Sequence, residues 1–275
     1  KAPHILDRVA AINVLKKKRG RRNVENALLK AIEKDPFWGV RKEAVQGLAS
    51  LKSKQHSDML MNLSEGQDNR VKRAIWNALR NYKNNDDVST FLQNVVSTDS
   101  KYYSVSDAFR ALVAVDTAAA RKKVDALLVR DSHQDVIRSA AISFFGSVKS
   151  DKNYNRLKEL ASYGGTTWDA RPEAVSQLSR YAKEKKETID IFVNLLEDRS
   201  RDVRRRAIYA LASHGDKTHL GPLDEVMFKD PALGRDIRYA KKRILNPPKK
   251  PTKTPVEKKL EEANRKLDEI KRLLD

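Results

Sequence analysis

The amino-acid sequence predicts an all-α fold: a solenoid of seven to eight stacked helix pairs with a tethered C-terminal amphipathic helix. Three observations predict it. An apolar template with helical spacing recurs at a near-constant period. A second helix-forming stretch stands at fixed offsets before it. Neither stretch can bury its apolar face except against a neighbouring copy.

The template is clearest in Asp35–Leu48, DPFWGVRKEAVQGL, where Val40, Ala44, Gly47 and Leu48 stand at i, i+4, i+7 and i+8 and so share one helix face. It recurs as Val71, Ile75, Ala78, Leu79; as Ser104, Ala108, Ala111, Leu112; and as Ile137, Ala141, Phe144, Phe145. Further copies are Ala170, Ala174, Gln177, Leu178 and Val203, Ala207, Ala210, Leu211. Asp7, Ala11, Val14, Leu15 form a first copy, and Ile237, Lys241, Ile244, Leu245 a degraded last one. Successive starts lie 33, 31, 33, 33, 33, 33 and 34 residues apart. The preceding helices show Val24, Leu28, Ile32, then Val88, Leu92, Val96, then Ile191 and Leu195 at matching offsets.

At the turn between the two helices, Asp35 is placed to cap and Pro36 sits where a missing N–H costs nothing. Trp38, Tyr102 and Trp168 all lie two places before a template start, and the spacing reads as aromatic packing between successive repeats. The residue after each start is basic in Arg8, Arg41, Lys72, Arg138, Arg171, Arg204 and Arg238, with Val105 the exception. Because Asp35, Asp68, Asp99, Asp135, Asp169, Asp198 and Asp202 accompany these bases, the pattern reads as an inter-repeat Asp–Arg ladder. A basic stripe for a ligand is the competing reading.

With 275 residues, 34% charged and 40% hydrophobic, the chain has enough apolar content for a core. The absence of cysteine excludes disulfides, thiolate nucleophiles and cysteine-based zinc sites. No apolar run is long enough for a membrane-spanning helix, and the basic first twenty residues carry no signal-peptide core. A net charge of +19 raises a nucleic-acid or acidic partner as a class.

The pattern Asp-Xaa-Xaa-Val-Arg-Xaa-Xaa-Ala-Xaa-Xaa-Xaa-Leu resembles HEAT repeats, up to about Leu245. More narrowly, DPFWGVRKEAVQGL, preceded one repeat earlier by LDRVAAINVL (Leu6–Leu15), resembles the C-terminal HEAT-like region of bacterial M1-family zinc aminopeptidases. That resemblance implies a non-catalytic module packed on a separate thermolysin-like domain, where it helps enclose the substrate chamber. The family's His-Glu-Xaa-Xaa-His helix and Gly-Xaa-Met-Glu-Asn strand have no counterpart here. His4, His56, His133, His214 and His219 include no i, i+4 pair with an intervening Glu. The resemblance therefore assigns this chain no catalytic residue, metal ligand or cofactor, and places any zinc in the separate catalytic domain.

No phosphate-binding loop or nucleophile elbow appears; YGGTT (Tyr163–Thr167) lacks the necessary Lys. Two basic clusters form a candidate patch. One is Lys16, Lys17, Lys18, Arg19, Arg21 and Arg22; the other is Arg199, Arg201, Arg204, Arg205 and Arg206. Solvated surface is the simpler reading of both. A phosphate-tracking groove, as in HEAT-like DNA-repair glycosylases, is the alternative.

The composition divides the chain into a solenoid over 1–245, a Pro-rich linker over 246–255 and a heptad-patterned helix over 256–275. In the last, Val256, Leu260, Ala263, Leu267, Ile270 and Leu274 form a narrow seam that wants a partner helix. Docking on the solenoid and self-association both satisfy it. The expected partner of the whole is protein, either its own catalytic domain or another chain. Nucleic acid stands second, and no membrane partner is expected.

Overall fold

A computed structural model describes residues 4–18, 22–51 and 55–248. Their regular structure is entirely helical, with fifteen α-helices and four short 3-10 turns. The odd helices carry the template: α1 (Ile5–Lys17), α3 (Trp38–Ser50), α5 (Asn69–Leu79), α7 (Tyr102–Val115), α9 (Val136–Ser147), α11 (Arg171–Leu178), α13 (Arg201–His214) and α15 (Gly234–Leu245). The even helices are α2 (Arg22–Lys34), α4 (His56–Asn62), α6 (Asp86–Thr98), α8 (Thr117–Leu128), α10 (Asp151–Ala161), α12 (Thr188–Leu195) and α14 (Leu220–Lys229). The described solenoid is thus α1 followed by seven helix pairs. The heptad seam from Val256 to Leu274, and the linker beyond residue 248, lie outside the described residues.

Side chains start many of these helices. Asp68 accepts from the Arg70 amide at 2.8 Å, Asn85 from Val88 at 3.0 Å, Asp116 from Ala119 at 2.9 Å and Ser150 from Asn153 at 3.1 Å. Each satisfies an amide that the first helical turn leaves unpaired, for about 1 kcal/mol. In the Asp35 turn the carboxylate accepts from the Phe37 amide at 2.9 Å, which delivers the chain into α3.

The odd helices pack on one another in an unbroken row from α1 to α15, whereas the even helices meet their even neighbours far more sparsely. Closer approach in one layer bends the stack toward it, so the odd helices line the inner surface. Between the layers runs one continuous core. Val40, Ala44 and Leu48 are buried in it, as are Val71, Ile75, Ala78 and Leu79, and Val203, Ala207, Ala210 and Leu211. Gly47 is small by necessity, because a Cβ there would stand 3.0 Å from Leu28 and 3.2 Å from Lys16 where three helices converge.

The template fails at three places. In α1, Asp7, Ala11 and Val14 are exposed and only Ile12 is fully buried, since no described helix covers the outward side. At α12, Phe192 and, just past the helix end, Leu196 are buried with Thr188, whereas Ile191 and Leu195, one place earlier, stay half-buried. In α15, Lys241 turns away to Asp224 at 2.6 Å and Leu245 is exposed, because this is the last described helix and its outer side meets solvent.

Candidate interaction surface

The arginines that follow the template starts work mainly as structural clamps. Arg171 donates from Nε to the Ala161 carbonyl at 3.1 Å and from Nη2 to Asp198 of the next repeat. Arg204 reaches the Asp198 carbonyl at 2.5 Å and Asp230 of the next repeat at 2.7 Å. Arg138 bonds the Leu128 carbonyl at 2.6 Å, Asp135, and the Thr167 hydroxyl at 3.2 Å. Arg8 holds Asp35 through two bonds of 2.8 and 3.2 Å, and Arg41 takes the Asp35 carbonyl at 2.7 Å. A planar fork with several donors allows one side chain to close its own turn and reach the next.

Lys72 and Arg238 depart from this arrangement. Neither makes an ion pair among the described residues. Arg238 stands on the last described helix, and no described repeat beyond it offers a carboxylate. At the α6–α7 turn, where Val105 stands in the arginine's place, Arg130 does the corresponding work, donating to the carbonyls of Val96 at 3.0 Å and Asp99 at 2.7 Å. The template register does not point to Arg130, and only the folded stack brings it to the joint.

The three aromatics also separate. Tyr102 stacks on Tyr103 at 4.7 Å and meets His133 of the next repeat at 6.1 Å. Trp38 is half-buried, packed on Phe37 at 5.3 Å and covered by the Arg70 guanidinium at 3.8 Å. Trp168 is 73% exposed and packs between no repeats. Its turn runs from Ser162 to Ala170 where the Trp38 and Tyr102 turns have three residues, so the extra chain lifts the indole off the joint. Other aromatics are buried between repeats instead, among them Trp76, whose indole N–H donates to Ser104 at 2.8 Å. It sits inside the helix, off the turn register.

The two basic clusters do not form one patch. Lys16, Lys17 and Lys18 lie at the C-terminal end of α1, with Arg22 opening α2; Arg199, Arg201, Arg205 and Arg206 surround the N-terminal end of α13, six odd helices along and at the opposite helix end. Arg19 and Arg21 lie outside the described residues. Lys16 pairs with Glu43, Arg201 with Asp230 at 3.0 Å, and Arg205 with both Asp202 at 2.6 Å and Asp236 at 3.2 Å. Arg199 lies over the Tyr163 ring at 5.4 Å. The Arg201, Arg204 and Arg205 charges are therefore largely spent on neighbouring carboxylates. Arg204, helped by Arg201, holds the Asp230 carboxyl below its ordinary pKa.

Two of the concave sites among the described residues lie on opposite sides of α5 and offer contrasting surfaces for a partner. On the inner wall, α3, α5 and α7 enclose a groove of ≈650 Å³. Lys42, Arg70 and Arg73 line it with Trp38, the amides Gln46, Asn77 and Asn81, and one acid, Asp107. On the other side, a groove of ≈850 Å³ lies beside α4 and α6, with Glu65, Asp87 and Asp99 against the single base Lys72, over apolar Met61, Trp76 and Phe91. Among the described residues no group of three or more His, Asp or Glu could hold a metal ion, and no helix is long and apolar enough to cross a membrane.

Residues 25–112, which run from α2 into α7, match the family of HEAT repeats. This segment is similar to HEAT repeats. The match covers under half of the chain, but α8 to α15 continue the same two-layer HEAT-like stack with the same clamps. No curated protein matches the chain. The HEAT-like architecture is that of a repeat-based scaffold or interaction module.

Proposed function

We propose that this solenoid is a non-catalytic scaffold, and that its parent is an M1-type zinc aminopeptidase. In that setting it would pack on the catalytic domain and help enclose it. Asp35–Leu48 carries the reading: DPFWGVRKEAVQGL combines the Asp-Pro turn, two adjacent aromatics and the helix start as that family's C-terminal region does. In this chain Asp35 serves the turn three ways, taking Arg8 and the Phe37 amide on its carboxylate and Arg41 on its carbonyl. The segment thus has a packing role; in the proposed parent, zinc chemistry would belong to a separate domain.

The reading frame upstream of Lys1 tests this directly. Continuation into a domain bearing His-Glu-Xaa-Xaa-His and a downstream Glu supports the peptidase parent. A start codon immediately before Lys1 sinks it. The chain would then be a free-standing interaction scaffold, a reading favoured by the HEAT-repeat match and the two grooves. Nucleic-acid binding stands behind both, because carboxylates accompany the bases at most joints. Self-association through the seam of residues 256–274 remains part of the proposal, and sedimentation of the full chain against one ending at residue 248 measures it.

A further inference from the structure

We infer that the inner groove of α3, α5 and α7 binds an extended peptide segment rich in acidic side chains. The inference rests on the scaffold reading and is independent of the peptidase parent.

Charge comes first. Three cations line the groove against one carboxylate, Asp107, which Arg73 and Arg110 already share at 2.6 and 3.9 Å. Lys42 makes no ion pair among the described residues. The groove on the other side of the neighbouring repeats has the opposite balance, three acids to one base. The sign is therefore local to the inner wall and does not simply follow from the net charge of +19.

Preorganisation comes second. The Arg70 guanidinium sits over the Trp38 ring at 3.8 Å and is fixed by Asp68 through Nε and Nη2, both at 2.9 Å. Its Nη1 has no partner among the described residues. Arg73 is held over the Tyr103 ring at 4.9 Å and anchored by Nε to Asp107, and its two terminal amino groups have no partner among the described residues. Guanidinium groups already fixed by stacking and ion pairing lose little side-chain entropy when a carboxylate arrives. A mobile surface lysine cluster lacks that advantage.

The third observation distinguishes a peptide from a simple anion. Gln46 and Asn77 occupy the same template position, six beyond the start, on adjacent helices, and Asn81 follows one turn later on the α5 side. All three side chains are exposed and line the groove. A primary amide both donates and accepts, which matches the alternating N–H and C=O groups of an extended backbone. Neighbouring helices about 9 Å apart make the groove roughly 20 Å across, a span that ~6 residues of extended chain cover.

The test uses the full chain and fluorescence anisotropy with two labelled peptides of about ten residues, one alternating Glu and Ala, the other Gln and Ala. The Glu peptide should bind saturably and the Gln peptide at least about tenfold more weakly. Lys42→Glu should weaken the Glu peptide about tenfold, while Lys30→Glu, the same charge change on α2, should stay within about twofold. Both variants touch no ion pair, and circular dichroism checks that they fold. Equal binding of the two peptides, equal loss in the two variants, or no binding of the Glu peptide at about 1 mM overturns the inference. So does an oligothymidylate that displaces the Glu peptide with a steep salt dependence, which would make the groove a nucleic-acid site.

Discussion

Helices α1 and α7 carry the same apolar template, yet α7 buries nine residues and α1 only Ile12. α7 has odd helices on both sides, α5 and α9, and the even helices α6 and α8 above it. α1 has α3 on one side and no described helix on the other. Ile5, Leu6 and Val14 are accordingly 41%, 69% and 52% exposed. The opposite end is finished differently: α15 turns exposed Arg235, Arg238 and Lys242 outward. In a one-dimensional stack, burial is supplied by neighbours, and a terminal unit needs a polar outer face to stand alone. α15 comes nearer to such a face than α1, although Tyr239 and Leu245 also stand exposed on it.

The largest effect should come from the middle of the stack. Phe109→Ala in α7 removes a fully buried ring that meets Phe144 of the next odd helix at 6.4 Å, and should cost about 3–5 kcal/mol in chemical denaturation. A loss below 1 kcal/mol would mean that α7 is no better buried in solution than α1. Next is the Arg171–Asp198 clamp, whose side chains are 5% and 9% exposed. Asp198→Ala strands a buried guanidinium and should cost about 3 kcal/mol. Arg8→Ala breaks the corresponding clamp at the α1 end and should cost only about 1 kcal/mol. Equal losses would erase the distinction between centre and end.

The acid limb of stability gives a smaller, graded effect. Its bonds to the Arg70 side chain and amide hold the Asp68 carboxyl at about 2, against an ordinary 3.8. A carboxyl lowered on folding contributes stability above its unfolded pKa and loses it as pH falls through the folded one. Asp116 and Asp230 are shifted the same way. The melting temperature should therefore show no loss from these groups down to about pH 4 and should decline toward pH 2. Arg70→Ala should move the start of Asp68 protonation to higher pH, which the carboxyl carbon shift in NMR reads directly. The smallest effect is at the open end. Leu6→Gln with Val14→Gln should change stability by no more than about 0.5 kcal/mol each, while lowering the binding of an apolar dye.

The repeat was legible because helical periodicity is local. An apolar residue at i, i+4, i+7 and i+8 marks one face whatever surrounds it, so Val71–Leu79 and Val203–Leu211 could be placed in the core from the sequence. The Arg171 clamp was legible for the same reason, since its acid partner keeps the same period. Trp168 was not, because a turn's length decides whether an aromatic reaches the joint, and register alone does not encode reach. Arg130 and Trp76 were missed because their roles depend on a helix one repeat away.

The inner groove was illegible for a further reason. Trp38 with Arg70, and Tyr103 with Arg73, are pairs separated by about one repeat and joined only when α3, α5 and α7 stack. The sequence alone determined the helical class, the period, the face most helices bury and the pairing of arginines with carboxylates of the same period. The tertiary structure alone decided how far each end helix is exposed, which aromatics are buried and which cations remain available to a ligand. The physical reason is that periodicity sets the direction of a side chain along its own helix, while exposure and pairing depend on what the neighbouring repeat brings to that side.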